Sequence, residues 1–342
     1  MSSSDITKLD IVELILKGKQ KQSPVMGSAN AFAPTNIALC KYWGKRNQQI
    51  NLPMTSSLSI SLADKGATTE LSVNSLGRDE IYLNGQLVDP SSFFATRLIS
   101  YLNLFRMQQS FFLTIHIDST IPIAAGLASS ACGFAALVKA LDQLFAWNLH
   151  SSALSILARL GSGSASRSIL SGFVEWYRGE RADGMDSYAE AMPLVWPELS
   201  LGLLLIDTTE KRISSREAMQ NTVETSMLYS RWPDQVNHDL PLLKQAIECR
   251  DFSLLGQVAE SNALAMHATM LSAWPPVSYT LPQTVLAMQK IWDLRKAGFP
   301  IYFTQDAGPN VKVLFLAEQT ARIKNEFPDV DIVRPFVSAT VE

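Results

Sequence analysis

The chain has 342 residues and a formal net charge of −3, with lysine and arginine spread along its length, so its composition shows no nucleic-acid footprint. At 47% hydrophobic and 18% charged it can bury one large core or two closely packed ones, and it lies far from the composition of disordered chains. No apolar run reaches the ~18 to 20 residues needed to cross a bilayer, and the three separated cysteines, Cys40, Cys132 and Cys249, lack metal-type spacing and fit buried thiols in a reducing compartment.

In chain order, Ile6, Leu9, Val12 and Leu16 recur at helical spacing, with Ser4 as a candidate cap and Gly18 as a stop. Asp10 and Glu13 interrupt this run and no basic region precedes it, so it reads as a docked surface helix outside the catalytic part rather than a signal peptide. A polar linker spans 19–28. Residues 29–63 are extended, with Leu58, Ile60 and Leu62 alternating, and strand-like runs across 68–88 flank the Asn84-Gly85 turn. A helix over 93–107 and a strand over 112–117 follow. A small-residue loop, 122–130, then opens a long apolar helix to about Ala146. A helix over 153–160, a Gly/Ser loop over 161–164, and strands over 173–177 and 199–207 come next. Helices over 216–231, 240–249, 253–271 and 282–297 and strands over 301–303, 311–315 and 332–333, around a further helix, complete the chain. Two β-containing halves with layered helices imply an α+β fold.

Five segments carry candidate chemistry. The run Pro122-Ile-Ala-Ala125-Gly126-Leu127-Ala128-Ser129-Ser130 places backbone N–H groups at a helix start, where they can surround phosphate oxygens; a tight helix entry capped by Ser129 is the structural alternative. It lacks the residues of a Walker loop and the GxGxxG of a dinucleotide fold. Lys41, Lys45 and Arg46 with Tyr42 suit a phosphate group, against the plainer reading of a solvated basic turn. Ser162, Ser164 and Arg167 form an oxyanion cradle or a linker. Ser214, Ser215 and Arg216 open a helix that Ser214 or Ser215 could cap with Glu217. Asp306 stands at a strand end, as an Asx-turn or as a general base. His116, His150, His238 and His267 show no pairwise metal spacing and read as structural.

In this order the segments resemble the diphosphomevalonate decarboxylases, a branch of the GHMP small-molecule kinase superfamily. The markers are Ala33-Pro34-Thr35-Asn36-Ile37-Ala38, Lys41 to Arg46, Asn51-Leu52-Pro53, Ser56 to Ser59, Pro122 to Ala131, Gly161 to Arg167, Ser214 to Met219 and Asp306 to Asn310. The resemblance implies a GHMP kinase fold with a ribosomal-protein-S5-like N-terminal half and a ferredoxin-like C-terminal half. The expected boundaries are 1–27 for an extension, 28–198 for the ATP-binding domain and 199–342 for the C-terminal domain. It further implies ATP and Mg²⁺ as cofactors and conversion of mevalonate 5-diphosphate to isopentenyl diphosphate, by phosphorylation of the C3 hydroxyl and loss of phosphate and CO₂.

By motif position, Asp306, Lys41 and Arg167 are the catalytic candidates, and Tyr42, Lys45, Ser162, Ser164, Arg167, Ser215 and Arg216 are the substrate-binding ones. Pro122, Ala125, Gly126, Leu127, Ala128, Ser129 and Ser130 are expected to hold ATP, with Ser130 a metal ligand. A cytoplasmic homodimer without nucleic-acid or membrane partners is expected. Gln305 departs from the apolar residue expected before the aspartate. Two rivals stay in the superfamily: a mevalonate monophosphate decarboxylase and a 3-kinase. A non-catalytic nucleotide sensor would have lost the base or the cations.

Overall fold

The computed structural model describes residues 6–106, 111–121, 129–209 and 211–336. The first helix, α1 (Lys8–Leu16), starts one turn later than the candidate Ser4 cap, because Thr7 and Asp10 form a capping box. Lys17 and Gly18 in the left-handed region end it. Ile11, Val12 and Leu16 are fully buried, whereas Leu9 faces solvent. The helix is therefore part of the N-terminal core rather than a surface appendage, since the same apolar cluster includes Leu98, Leu102, Ile156 and Leu160. Leu16→Ala is expected to cost ~2 to 5 kcal/mol of stability by leaving a cavity, read as a lower urea midpoint with kcat unchanged. An unchanged midpoint would contradict this docking.

The strands are β1 (Ser28–Cys40), β2 (Lys45–Asn47), β3 (Leu52–Pro53), β4 (Ser57–Asn74), β5 (Glu80–Leu83) and β6 (Gln86–Leu87). Helix α2 (Phe93–Arg106), β7 (Phe112–Ser119), α3 (Ser129–Leu144), α4 (Ser151–Gly161), α5 (Ala165–Ser168), β8 (Phe173–Trp176) and β9 (Ala189–Ala191) complete the first half. The long β4 organises its sheet: β1 lines one edge antiparallel, while β8 and β7 share the other. The order β6-β5-β7-β4-β8-β9 results, with β5 and β7 parallel across the α2 crossover. Leu58, Ile60 and Leu62 are buried as their alternation predicts, but so are Ser57, Ser59 and Ser61, because this stretch of β4 is covered on both faces.

The second half holds β10 (Leu199–Leu204), α6 (Ser215–Thr225), α7 (Trp232–Cys249), α8 (Phe252–Leu271) and α9 (Pro282–Lys296). It ends with β11 (Tyr302–Gln305), β12 (Val311–Leu316), α10 (Thr320–Glu326) and β13 (Asp331–Val333). Its sheet runs β11-β12-β10-β13, antiparallel throughout. Helix α7 begins eight residues before the expected 240–249, because Pro233 occupies its first turn, where proline is tolerated, and Pro241 interrupts without ending it. One apolar cluster joins Leu58 and Ile60 of β4 to Leu201 of β10 and to Leu243 and Leu255 of α7 and α8, so the two halves share a core. Among the described residues, no helix is long and apolar enough to cross a membrane.

Candidate active site

A cavity of about 440 Å³ opens between the halves, and most of the described candidate side chains line it. They arrive from separate elements: Lys41, Tyr42 and Lys45 from the segment leaving β1, Ser130 from the start of α3, and Ser162, Ser164 and Arg167 from the α4–α5 junction. Ser215 and Arg216 come from the start of α6 and Asp306 from the end of β11. Pro122, Ala125, Gly126, Leu127 and Ala128, and the side chain of Ser129, lie outside the described residues.

Two glycines make this approach possible. Gly44 has φ +99°, and a Cβ there would fall 1.6 Å from the hydroxyl of Tyr229, which donates to the Trp43 carbonyl. A side chain at position 44 would thus displace the segment that carries Lys45. At Gly163 a Cβ would lie 2.6 Å from Tyr42 Oη, so the α4–α5 turn and the tyrosine can meet only over a glycine. Tyr42 packs edge-on against Trp176, and its hydroxyl is buried without a hydrogen-bond partner among the described residues. Tyr42 itself lines the cavity.

Asp306 sits between two lysines. Lys41 Nζ donates to Oδ1 at 2.8 Å, and Lys312 Nζ lies 3.5 Å from Oδ2, an ion pair that leaves Oδ2 without a hydrogen-bond donor. Both lysines are buried, and the carboxylate is one-fifth exposed towards the cavity. Burial opposes ionisation of Asp306, but Lys41, Lys312 and Arg167 outweigh it and hold the carboxyl well below its usual range. An Asx-turn is excluded, since the side chain bonds to Lys41 while only the Asp306 carbonyl accepts from Gly308 N. His267 supports that carbonyl from Nε2 at 3.2 Å, and burial followed by Lys41 pushes its pKa down to about 4. Gln305, fully buried, donates from Nε2 to the Gly308 carbonyl and so braces the same turn, which accounts for a polar residue there.

Lys41 is fixed from several sides: Nζ also donates to Ala38 O at 2.7 Å, and its backbone N–H donates to Asn262 Oδ1 at 2.8 Å. Burial, offset only partly by Asp306, pulls Lys41 down to about 8. Arg167, 4% exposed, donates to Ser57 Oγ and Asn36 Oδ1, its two acceptors among the described residues. Lys45 donates to Asn51 Oδ1, and Ser130 and Ser162 share a hydrogen bond at 3.2 Å. Ser214, not Ser215, caps α6 with Glu217, which frees the Ser215 hydroxyl to meet Lys211.

Three cations escaped the sequence reading. Lys312 left one signal, a lysine inside the apolar run Val311-Lys-Val-Leu-Phe, where a charge facing into a buried strand needs a partner. Lys211 left none: it reaches the Ala307 carbonyl and lies 5.5 Å from the Tyr279 ring through tertiary folding alone. Arg97, on α2, donates to Gly161 O at 2.9 Å. Of the described lining residues, Lys41, Lys45, Arg97, Arg167, Lys211 and Arg216 are cationic and Asp306 alone is anionic, so a near-neutral protein encloses a strongly positive cavity. Among the described residues no cluster of His, Cys, Asp and Glu could hold a metal ion by itself.

Burial is the first cause in holding Lys45 and Lys211 to about 8 as well. Ammonium charge is present below that pH and lost above it. The kcat/KM for an anionic substrate is therefore expected to fall as pH rises through about 8, more steeply than one proton allows, because three groups discharge together. A profile flat to pH ~10, where ordinary lysines titrate, would contradict it.

Known proteins similar to the chain agree with one another. A diphosphomevalonate decarboxylase-like N-terminal domain matches residues 33–189, and a mevalonate 5-diphosphate decarboxylase C-terminal domain matches residues 202–333. A diphosphomevalonate decarboxylase from Danio rerio is 37% identical over 325 residues, covering 89% of this chain and 78% of its own length. The crystal structure of mevalonate diphosphate decarboxylase from Staphylococcus aureus superposes with TM-score 0.83 at 37% identity, over 90% of this chain and 95% of that one. A further structure, MDDEF in complex with MVAPP, AMPPCP and magnesium, gives 0.83 at 41% identity, over 90% and 97%. With the sheets, the shared core and these matches in agreement, the fold is the α+β GHMP kinase fold, and the chain belongs to the diphosphomevalonate decarboxylase family.

Proposed function

We propose that the chain carries out the ATP-dependent decarboxylation of mevalonate 5-diphosphate to isopentenyl diphosphate. The observation that carries this reading is Asp306, ionised between Lys41 and Lys312, at one side of a cavity whose other charged lining residues, among those described, are cations. Hydroxide leaves a tertiary carbon poorly, and phosphate leaves well once cations share its charge. ATP with Mg²⁺ supplies the phosphoryl group that converts the C3 hydroxyl into such a leaving group. The residues present suit a triphosphate: α3, 16 residues long, directs its positive end towards the cavity, and among the described residues the Ser130 hydroxyl bonds to Ser162 alone.

In this scheme the Asp306 carboxylate orients the C3 hydroxyl and takes its proton as the oxygen–phosphorus bond forms, when the hydroxyl becomes acidic enough for so weak a base. Lys41 steadies both carboxylate and developing charge. Breaking the C3–O bond expels phosphate, breaking the C1–C2 bond expels CO₂, and the electrons of the latter bond make the C2–C3 alkene. Arg167 holds the substrate carboxylate or diphosphate. Tyr42, Lys45, Ser162, Ser164, Ser215 and Arg216 grip the diphosphate, and Ser130, with Pro122, Ala125, Gly126, Leu127, Ala128 and Ser129, holds ATP phosphates and the metal.

Residues 28–198 then form the ATP-binding domain and 199–342 the second domain, with 1–27 as an extension. A homodimer working in the cytoplasm completes the reading. Supplying the purified chain with mevalonate 5-diphosphate and Mg²⁺ should yield CO₂ only when ATP is added. A C3-phosphorylated product accumulating without CO₂ would make it a 3-kinase instead.

A further inference from the structure

We propose that Lys312 is a positioning residue for the reaction: from behind the cavity it holds the Asp306 carboxylate ionised and in one orientation, which leaves Lys41, on the open side, to meet the substrate. The inference rests on the reading of Asp306 as the base and adds to it a residue that does not itself line the cavity. Lys312 sits on β12, paired in register with Leu203 of β10 and Thr304 of β11. Along β12 the alternate residues Val311, Val313 and Phe315 join the cluster on one side of the sheet. Leu314, on the same side as Lys312, joins the core shared by the two halves. A fully buried ammonium is thus set in an apolar face, and among the described residues Asp306 is its only ion-pair partner. Its Nζ lies 3.5 Å from Asp306 Oδ2 and donates to the Asn310 carbonyl at 3.2 Å, so one side chain spans both ends of the turn 306–310. Gln305 and His267 brace backbone carbonyls of that turn, and Lys312 adds a brace on the carboxylate itself.

Stability alone does not call for a lysine here, since well-packed apolar residues are often as stabilising as a buried ion pair or more so. Asp306 already has a counter-charge in Lys41, 2.8 Å from Oδ1. What the second lysine adds is a hold on the other oxygen, so that the carboxylate cannot rotate about its Cβ–Cγ bond without losing an ion pair. A carboxylate has about four acceptor sites, so two lysines leave room for the C3 hydroxyl. When Lys41 turns part of its charge to the phosphate that forms, Lys312 stays in place. The charged and titratable groups facing Asp306 are Lys41 at the end of β1, Arg167 on α5, Lys211 between β10 and α6, His267 on α8 and Lys312 itself. Burial pushes the carboxyl up, and Lys41, Lys312 and Arg167 together hold it below its usual range. Activity needs the carboxylate and is lost as pH falls through its pKa, so removing Lys312 moves that loss to higher pH. A more basic Asp306 would by itself take the proton more readily, so a fall in kcat reports lost orientation.

The test uses the full chain and its Lys312→Met, Lys312→Gln, Asp306→Asn and Asp306→Asn/Lys312→Met variants. The readout is CO₂ release at saturating mevalonate 5-diphosphate and MgATP, followed across acid and neutral pH, with KM for each substrate. In both Lys312 variants kcat is expected to fall about tenfold, with both KM values within about twofold of wild type and the acid limb of kcat displaced to higher pH. In the Asp306→Asn background, adding Lys312→Met should change kcat by less than about twofold, because Lys312 acts only through the carboxylate. Unchanged kcat and acid limb in both Lys312 variants, with Asp306→Asn impaired, would overturn the role of Lys312 alone and leave it to packing. A tenfold loss repeated in full in the double variant would show that Lys312 does not act through Asp306, and would overturn the proposal as well. Wild-type turnover in Asp306→Asn would overturn the reading of the base on which the inference rests.

Discussion

Replacing Asp306 by asparagine is expected to lower kcat by a factor of at least ~10³, about 4 kcal/mol of transition-state stabilisation, with KM for the diphosphate substrate little changed. The amide preserves volume and can still accept a hydrogen bond from the C3 hydroxyl, but it cannot take the proton. It also strands Lys41 and Lys312, both buried, without their shared counter-charge. A lower melting temperature should therefore accompany the loss, since removing one partner of a buried pair is strongly destabilising. Circular dichroism and an unchanged KM would show that the variant still folds and binds. Turnover close to wild type would remove Asp306 from the chemistry.

The second large effect is discrimination between mevalonate 5-diphosphate and the 5-monophosphate. Lys45, Arg167 and Arg216 line the cavity together with the Tyr42, Ser162, Ser164 and Ser215 side chains, more donors than one phosphate can satisfy. Without the terminal phosphate, at least two charged hydrogen bonds lose their acceptor, at ~1.5 to 3 kcal/mol each. A ratio of kcat/KM values of roughly 10² or more follows, at 1.4 kcal/mol per decade, with CO₂ release under saturating MgATP as the readout. Comparable values would replace the diphosphate reading with a monophosphate decarboxylase.

Much of this architecture was legible before folding. The Asn84-Gly85 turn, the amphipathic helices and the helix-opening serines announce themselves locally, because turn geometry and capping depend on a few neighbouring residues. The cations next to small-residue loops were legible for the same reason. What the sequence concealed was tertiary. Lys211 and Arg97 carry no local mark, and only the crossover of α2 and the packing of the halves bring them to the cavity. The full burial of Ser57, Ser59 and Ser61 depends on layers far away in the chain. Likewise the inward face of α1 was misread at Leu9, since helical spacing alone does not say which of two apolar stripes meets a core.

The most direct measurement of the central claim is the product balance of a single turnover, with enzyme in excess over mevalonate 5-diphosphate and with MgATP present. ADP, inorganic phosphate, CO₂ and isopentenyl diphosphate are quantified from the same quenched samples. Phosphorylation followed by coupled elimination predicts equal amounts of all four, with no CO₂ when ATP is withheld. ADP formed without CO₂, or CO₂ formed without ADP, would contradict it.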